Sequence, residues 1–62
     1  MNEQEWRDEF SRVVRKKMRE KEINQKQLAE MTDISESSIG RYISGTRTPS
    51  GYAIKKIIDA LN

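Results

Sequence analysis

The stretch of sequence that decides the fold, residues 25–50, reads QKQLAEMTDISESSIGRYISGTRTPS. It begins directly after Asn24, a residue type that caps helix N-termini, and Gln27 stands at the reciprocal position of a capping box. Leu28 and Ala29 then supply inward-facing positions. The pattern therefore predicts a short helix over residues 25–32.

A second short helix follows after the connection Thr32-Asp33-Ile34. It opens at Ser35, runs through Ser44 and stops at Gly45, which suits a left-handed C-cap. Two helices at this spacing predict a helix-turn-helix. The small and apolar residues that such a crossing requires are also present, at Ala29, Ile34 and Ile39.

One helix is predicted on each side of this pair, and there is no strand pattern. The first opens at Asn2, with Glu5 three residues on as in a capping box, and ends near Lys21 or Glu22. The fourth runs from about Ser50 to Leu61. The first helix carries an apolar stripe, read as core or as a subunit contact, with core favoured: Trp6, Phe10, Val13, Val14 and Met18. The face of the fourth consists of Ala53, Ile54, Ile57, Ile58 and Leu61. The fold class is therefore all-α: a single compact four-helix domain over residues 1–62, or a five-helix fold truncated after its fourth helix.

The composition excludes several classes of function. The 62 residues include no cysteine and no histidine, so disulfides, thiolate metal sites and the commonest general base are all missing. There is no glycine-rich phosphate loop, and the acidic residues are scattered. We therefore expect no enzyme activity, no metal, no cofactor and no small-molecule substrate. No apolar run approaches the ~20 residues that cross a bilayer, and the polar N-terminus is not a secretion signal, so we expect a cytoplasmic protein without a membrane partner.

The charged residues are unevenly distributed, although the net charge is only +2. Acidic residues predominate over residues 1–11 and 27–36, and basic residues predominate over residues 12–26. No acidic side chain occurs between Ser37 and Ile58. An acid-free basic stretch is what a phosphate-facing surface needs, although charge alone fits a solvated surface equally well.

The quoted run resembles the helix-turn-helix of phage repressor and Cro proteins, the XRE family, and the resemblance extends over about residues 10–61. No single element carries it; the ordered set does. That set comprises Gln25, Leu28-Ala29, Ile34-Ser35, Ser37, Ile39, Gly45 and Pro49-Ser50, followed by the segment IKKIIDAL. The resemblance implies a lambda-repressor-like DNA-binding domain. The sequence departs from the family at the turn position that is often glycine, which is Asp33 here.

The resemblance also implies which residues meet DNA. The exposed positions of the recognition helix are expected to read bases, namely Glu36, Ser37, Ser38, Gly40 and Arg41. The start of the first motif helix and the end of the second, with the loop that follows, are expected to meet phosphates, namely Gln25, Lys26, Tyr42, Ser44, Thr46, Arg47 and Thr48. Gly40 stands where a side chain often reads a base.

Several of these positions have a second interpretation: Ser38 can serve the helix cap, and Gln25 and Arg47 can simply face solvent. Arg41 suits guanine O6 and N7, but an arginine here is also suited to a phosphate or to solvent. Glu36 can accept from cytosine N4 or simply favour a helix N-terminus. Gly40 permits close approach either to DNA or to a neighbouring helix. Tyr42 can offer its hydroxyl to phosphate, but packing of its ring is favoured.

The function these expectations favour is sequence-specific binding of double-stranded DNA by a transcription regulator, and more specifically a repressor. Two copies would bind a palindromic operator as a homodimer, with recognition helices ~34 Å apart. The alternative is a protein-interaction adaptor, antitoxin-like or coactivator-like, that uses the same fold. Its partner surface would be the acidic first turn and the apolar residues near Trp6.

Overall fold

The computed structural model describes the whole chain, Met1–Asn62, as four α-helices and no strands. They are α1 (Glu3–Lys21), α2 (Gln25–Thr32), α3 (Glu36–Ser44) and α4 (Gly51–Leu61). The predicted all-α four-helix architecture is therefore confirmed. None of these helices has the length and apolar character needed to cross a membrane.

A polar side chain caps the N-terminus of every helix. The side-chain oxygens of Asn2, Asn24, Ser35 and Ser50 each accept a hydrogen bond from the backbone N–H three residues further on. At Asn24 the capping box is complete, because the Gln27 side chain accepts from the Asn24 N–H at 2.8 Å. At Asn2 the predicted capping box is only half formed, since Glu5 makes no return bond. Ser35 and Ser50 are caps and not helical residues, so α3 and α4 begin one residue after the predicted starts.

Three helices end at a residue with positive φ. These residues are Glu22 (φ 56°), Asp33 (φ 59°) and Gly45 (φ 77°). After α1, Ile23 N donates to Met18 O and Glu22 N donates to Arg19 O. After α3, the same pair of bonds runs from Thr46 N to Arg41 O and from Gly45 N to Tyr42 O. This is the Schellman arrangement, which satisfies carbonyls left free at a helix end.

One apolar core draws on all four helices. α1 and α2 each pack against both α3 and α4, whereas α3 and α4 do not contact each other. The helix-turn-helix scaffold residues Leu28 and Ile39 are fully buried, and Ala29 and Ile34 pack partly buried against the core. The core consists of Val14, Met18, Leu28, Ile39, Tyr42, Ala53, Ile57 and Leu61.

The apolar stripe of α1 is only partly a core stripe. Val14 and Met18 are buried, but Val13 is 38% exposed, so its assignment to the core is wrong. Val13 and Val14 are separated by about 100° around the helix, and a helix that packs on one side buries only one of them. Trp6 and Phe10 are half-buried and stack on each other, with ring centroids 5.3 Å apart and planes 5° apart.

Two buried hydroxyls stabilise the helix-turn-helix, one within the motif and one between the motif and α1. Thr32 is 1% exposed, and its Oγ1 donates to Leu28 O at 2.8 Å and accepts from Ile34 N at 3.3 Å. It therefore links the end of α2 to the turn. Ser11 of α1 is 3% exposed and donates to Ile43 O near the end of α3. Small polar residues in buried positions give no signal in a hydrophobic pattern, and neither role was predicted.

Candidate nucleic-acid interface

The outer face of α3 is polar and opposite to its buried face. Ser37, Arg41 and Ser44 are exposed and recur at the three- and four-residue spacing that places side chains on one side of a helix. Ile39 and Tyr42 lie on the other side, 0% and 8% exposed. A helix that packs in the core on one side and carries short polar side chains on the other can enter the major groove, which is about 12 Å wide.

The predicted base-reading residues differ in how far they are available. Glu36, Ser37 and Arg41 are exposed, whereas Ser38 and Gly40 are half-buried. The backbone N–H of Ser38 is bound to the Ser35 cap at 3.1 Å. The structure therefore presents Arg41 and Ser37 more openly than it presents Ser38.

Gly40 is covered by a side chain from α2. A Cβ at this position would lie 2.8 Å from Nε2 of Gln25, and that same Nε2 donates to Glu36 O at 3.1 Å. Gln25 thus lies across the first turns of α3 and connects the two helices of the motif. A glycine at this position permits close approach either to DNA or to a neighbouring helix, and the structure contains the second, an approach to α2.

Tyr42 is a core residue. Its ring is 8% exposed and belongs to the apolar cluster, as the packing interpretation predicts. Only its hydroxyl could take part in a phosphate contact, and that hydroxyl makes no hydrogen bond within the protein and is not fully enclosed. The ring therefore holds α3 in the core, and a phosphate contact through the hydroxyl stays a prediction.

The loop between α3 and α4, residues 45–50, is folded back on the end of α3. The hydroxyl oxygens of Ser44 and Thr46 lie 2.9 Å apart, and both are within hydrogen-bond distance of Arg41 O. One hydroxyl can therefore donate to Arg41 O while it accepts from the other. Ser44, Thr46, Arg47 and Thr48 are all exposed. The predicted phosphate-contacting residues of the loop therefore lie together, directly beyond the Arg41 face.

The first turns of α1 hold this loop from the other side. Arg7 donates from Nε to Gly45 O at 3.2 Å and from a terminal nitrogen to Thr48 Oγ1 at 3.2 Å. Thr48 in turn donates to Glu3 at 2.7 Å. Sequence reasoning missed Arg7, because its partners lie about forty residues away and no local pattern connects them.

The positive side chains of the motif are not neutralised within the protein. The three ion pairs join Glu3 to Arg7, Glu9 to Arg12 and Lys55 to Asp59. Lys26, Arg41 and Arg47 are exposed and take part in none of them. Basic groups without internal partners are available to neutralise phosphates.

A family model described as helix-turn-helix matches residues 14–62, which is most of the chain. The chain belongs to this family. It is the Cro/C1-type or XRE family, a non-enzymatic family of DNA-binding transcription regulators, as the resemblance predicted. No curated protein and no solved structure matched the chain.

The XRE match begins at Val14, so residues 3–13, about the first three turns of α1, lie outside it. Glu3 and Arg7, which bond the loop, and Ser11, which bonds the last turn of α3, all lie in that unmatched part. This XRE domain therefore supports its α3–α4 loop with residues that the family pattern does not include.

Proposed function

We propose that this XRE-family domain is a sequence-specific transcription regulator, and that it acts as a repressor. Two copies bind a palindromic operator as a homodimer in the cytoplasm, at the bacterial nucleoid. Each copy inserts α3 into a major groove, and the two recognition helices lie about 34 Å apart, one turn of the duplex.

The observation that supports this most is the composition of the surface around α3. The short polar face of α3 includes the unpaired Arg41, and two further exposed, unpaired basic residues belong to the neighbouring segments, Lys26 on α2 and Arg47 in the loop. Helix α3 is held rigidly from behind by Ile39 and Tyr42. The basic groups supply affinity for the duplex, and a rigid central helix supplies register.

In this proposal Arg41 carries most of the direct base readout. Its guanidinium is exposed and free of carboxylates, so both donors can meet a guanine edge. Glu36, Ser37 and Ser38 make additional base contacts, and Gly40 offers backbone only. Gln25, Lys26, Ser44, Thr46, Arg47 and Thr48 meet phosphates, so DNA shape contributes a large share of the recognition.

A selection from a random duplex pool at physiological salt tests the proposal. We expect one motif to be enriched, and we expect Arg41→Ala to lose discrimination at one guanine by about 1–3 kcal/mol while its binding to bulk DNA falls only slightly. Lys55→Ala is the control, because it removes one exposed positive charge from α4, which carries none of the proposed DNA contacts, and the ion pair that it breaks, to Asp59, lies within that same helix. A pool without any enriched sequence would rule out sequence-specific recognition. An equal loss on all sequences would make Arg41 a phosphate contact.

The adaptor alternative has one observation in its favour, the half-exposed Trp6–Phe10 stack near the start of α1. Aromatic residues that are partly exposed are common anchors in protein interfaces. Under this alternative, Trp6→Ala abolishes binding of a protein partner and leaves DNA affinity almost unchanged. Under the regulator proposal, the same variant loses stability and retains its DNA sequence preference.

A further inference from the structure

A carboxylate from α1 lies against the loop that is proposed to meet phosphate. Thr48 Oγ1 donates to Glu3 Oε2 at 2.7 Å, and a terminal nitrogen of Arg7 lies 3.4 Å from the same oxygen. The same Arg7 nitrogen also donates to Thr48 at 3.2 Å. A hydroxyl and a guanidinium are thus directed at one anionic oxygen.

The chemistry of this arrangement is that of an oxyanion site. Arginine and hydroxyl donors recognise carboxylate and phosphate oxygens through the same charge-assisted hydrogen bonds. The loop itself contains no acidic residue, and the anion comes from the opposite end of the chain. Glu3 therefore occupies a position that suits one oxygen of a phosphate.

We propose that Arg7 and Thr48 form a DNA-phosphate site that Glu3 occupies in the free protein. The inference rests on the proposed DNA-binding function and adds Arg7, which lies outside the family match, to the interface. When the duplex docks, a backbone phosphate displaces Glu3 and takes its two donors. Glu3 thereby weakens binding to DNA in general, and contacts elsewhere must compensate for its displacement.

The two sides of the contact differ in mobility in the way that this exchange requires. The Glu3 side chain is 68% exposed and lies in the first turn of α1, so it can rotate into water. The Arg7 side chain is only 21% exposed and has a further bond, from Nε to Gly45 O. Arg7 is therefore held at the loop after Glu3 has left.

The test compares two charge-neutralising variants of the full chain, Glu3→Gln and Glu5→Gln. Glu5 is the matched control, because it lies in the same helical turn about 200° around the axis and its side chain has no partner. Affinity for a fluorescent duplex of unselected sequence is measured by anisotropy from 50 to 200 mM salt. We expect Glu3→Gln to bind about fivefold more tightly than Glu5→Gln at the low-salt end, the effect of one unit charge close to a phosphate.

A second pair of variants separates this role from a structural one. Adding Thr48→Val to Glu3→Gln removes a phosphate donor, and we expect it to cancel most of the gain. If the Glu3 contact only stabilised the loop, Glu3→Gln would melt at a lower temperature and bind DNA no better than Glu5→Gln, which would overturn the proposal. If the parent protein binds DNA and the two glutamine variants bind it with equal affinity, the phosphate site is refuted but the proposed function is not. If no variant binds any duplex, both the phosphate site and the proposed function are refuted.

Discussion

At the residue scale, Gly40 allows the two helices of the motif to contact each other because it has no side chain. The carboxamide of Gln25 occupies the space where a Cβ would be, at 2.8 Å, and uses it to reach Glu36 O. Glycine costs about 1 kcal/mol relative to alanine in a helix interior. The contact between Gln25 in the first turn of α2 and Glu36 in the first turn of α3 offsets about half of that cost.

A double-mutant cycle measures this contact. In a Gln25→Ala background the space beside Gly40 is empty, so we expect Gly40→Ala to stabilise the protein by about 1 kcal/mol. In the parent, Gly40→Ala must displace a flexible side-chain end, and we expect it to stabilise by roughly half as much, a coupling that is typical of residues in contact. Urea unfolding of the four proteins gives both values. Equal effects of Gly40→Ala in the two backgrounds would show that Gln25 does not constrain this position.

The sequence predicts the scaffold residues better than it predicts the surface residues around them. Leu28 and Ile39 could be assigned to the core because helical periodicity alone determines which face they occupy. The covering of Gly40 could not be predicted, because it depends on how α2 and α3 cross. The exposure of Val13 depends on the same tertiary geometry, whereas packing of the Tyr42 ring is what the sequence favours. The base-reading and phosphate-contacting roles remain predictions until DNA is bound.

At the element scale, the helix boundaries are set by local interactions and are therefore predictable. Asn24 and Ser35 cap through bonds to residues three positions away, which a sequence displays directly. The end of α1 near Lys21 or Glu22 is predicted correctly as well, but the positive φ of 56° that Glu22 adopts there is not. A residue other than glycine in this conformation costs about 1–2 kcal/mol, and a glutamate in the sequence does not predict the conformation.

Glu22→Gly should therefore stabilise the protein. The substitution relieves the left-handed strain and keeps the bond from Ile23 N to Met18 O, so we expect a gain of about 0.5–1 kcal/mol, or several degrees in Tm for a domain of this size. The matched control is Glu20→Gly, which removes the same charge from an exposed position inside α1 and should cost about 1 kcal/mol. Thermal unfolding by circular dichroism measures both. A loss of stability in both variants would contradict the assigned conformation of Glu22.

At the scale of the whole molecule, the number of recognition helices limits how an operator can be read. The domain measures 29 × 21 × 17 Å and carries one recognition helix. Successive major grooves on one side of a duplex lie about 34 Å apart, so the single recognition helix of one copy can enter only one of them. One copy therefore spans one half-site, and the reading of a palindrome requires two copies in a fixed relation.

This requirement leads to a prediction about the spacing of half-sites. If two copies contact each other on DNA, a duplex with two half-sites one turn apart binds them cooperatively, at two chains per duplex. An insertion of about 5 base pairs rotates one half-site to the opposite side and should abolish the cooperativity, whereas an insertion of about 10 restores the face. Titrations followed by native mass spectrometry count the bound chains and give the coupling between them. Cooperativity that persists unchanged through the half-turn insertion, or two half-sites that fill independently at every spacing, would exclude a rigid homodimer as the DNA-binding form.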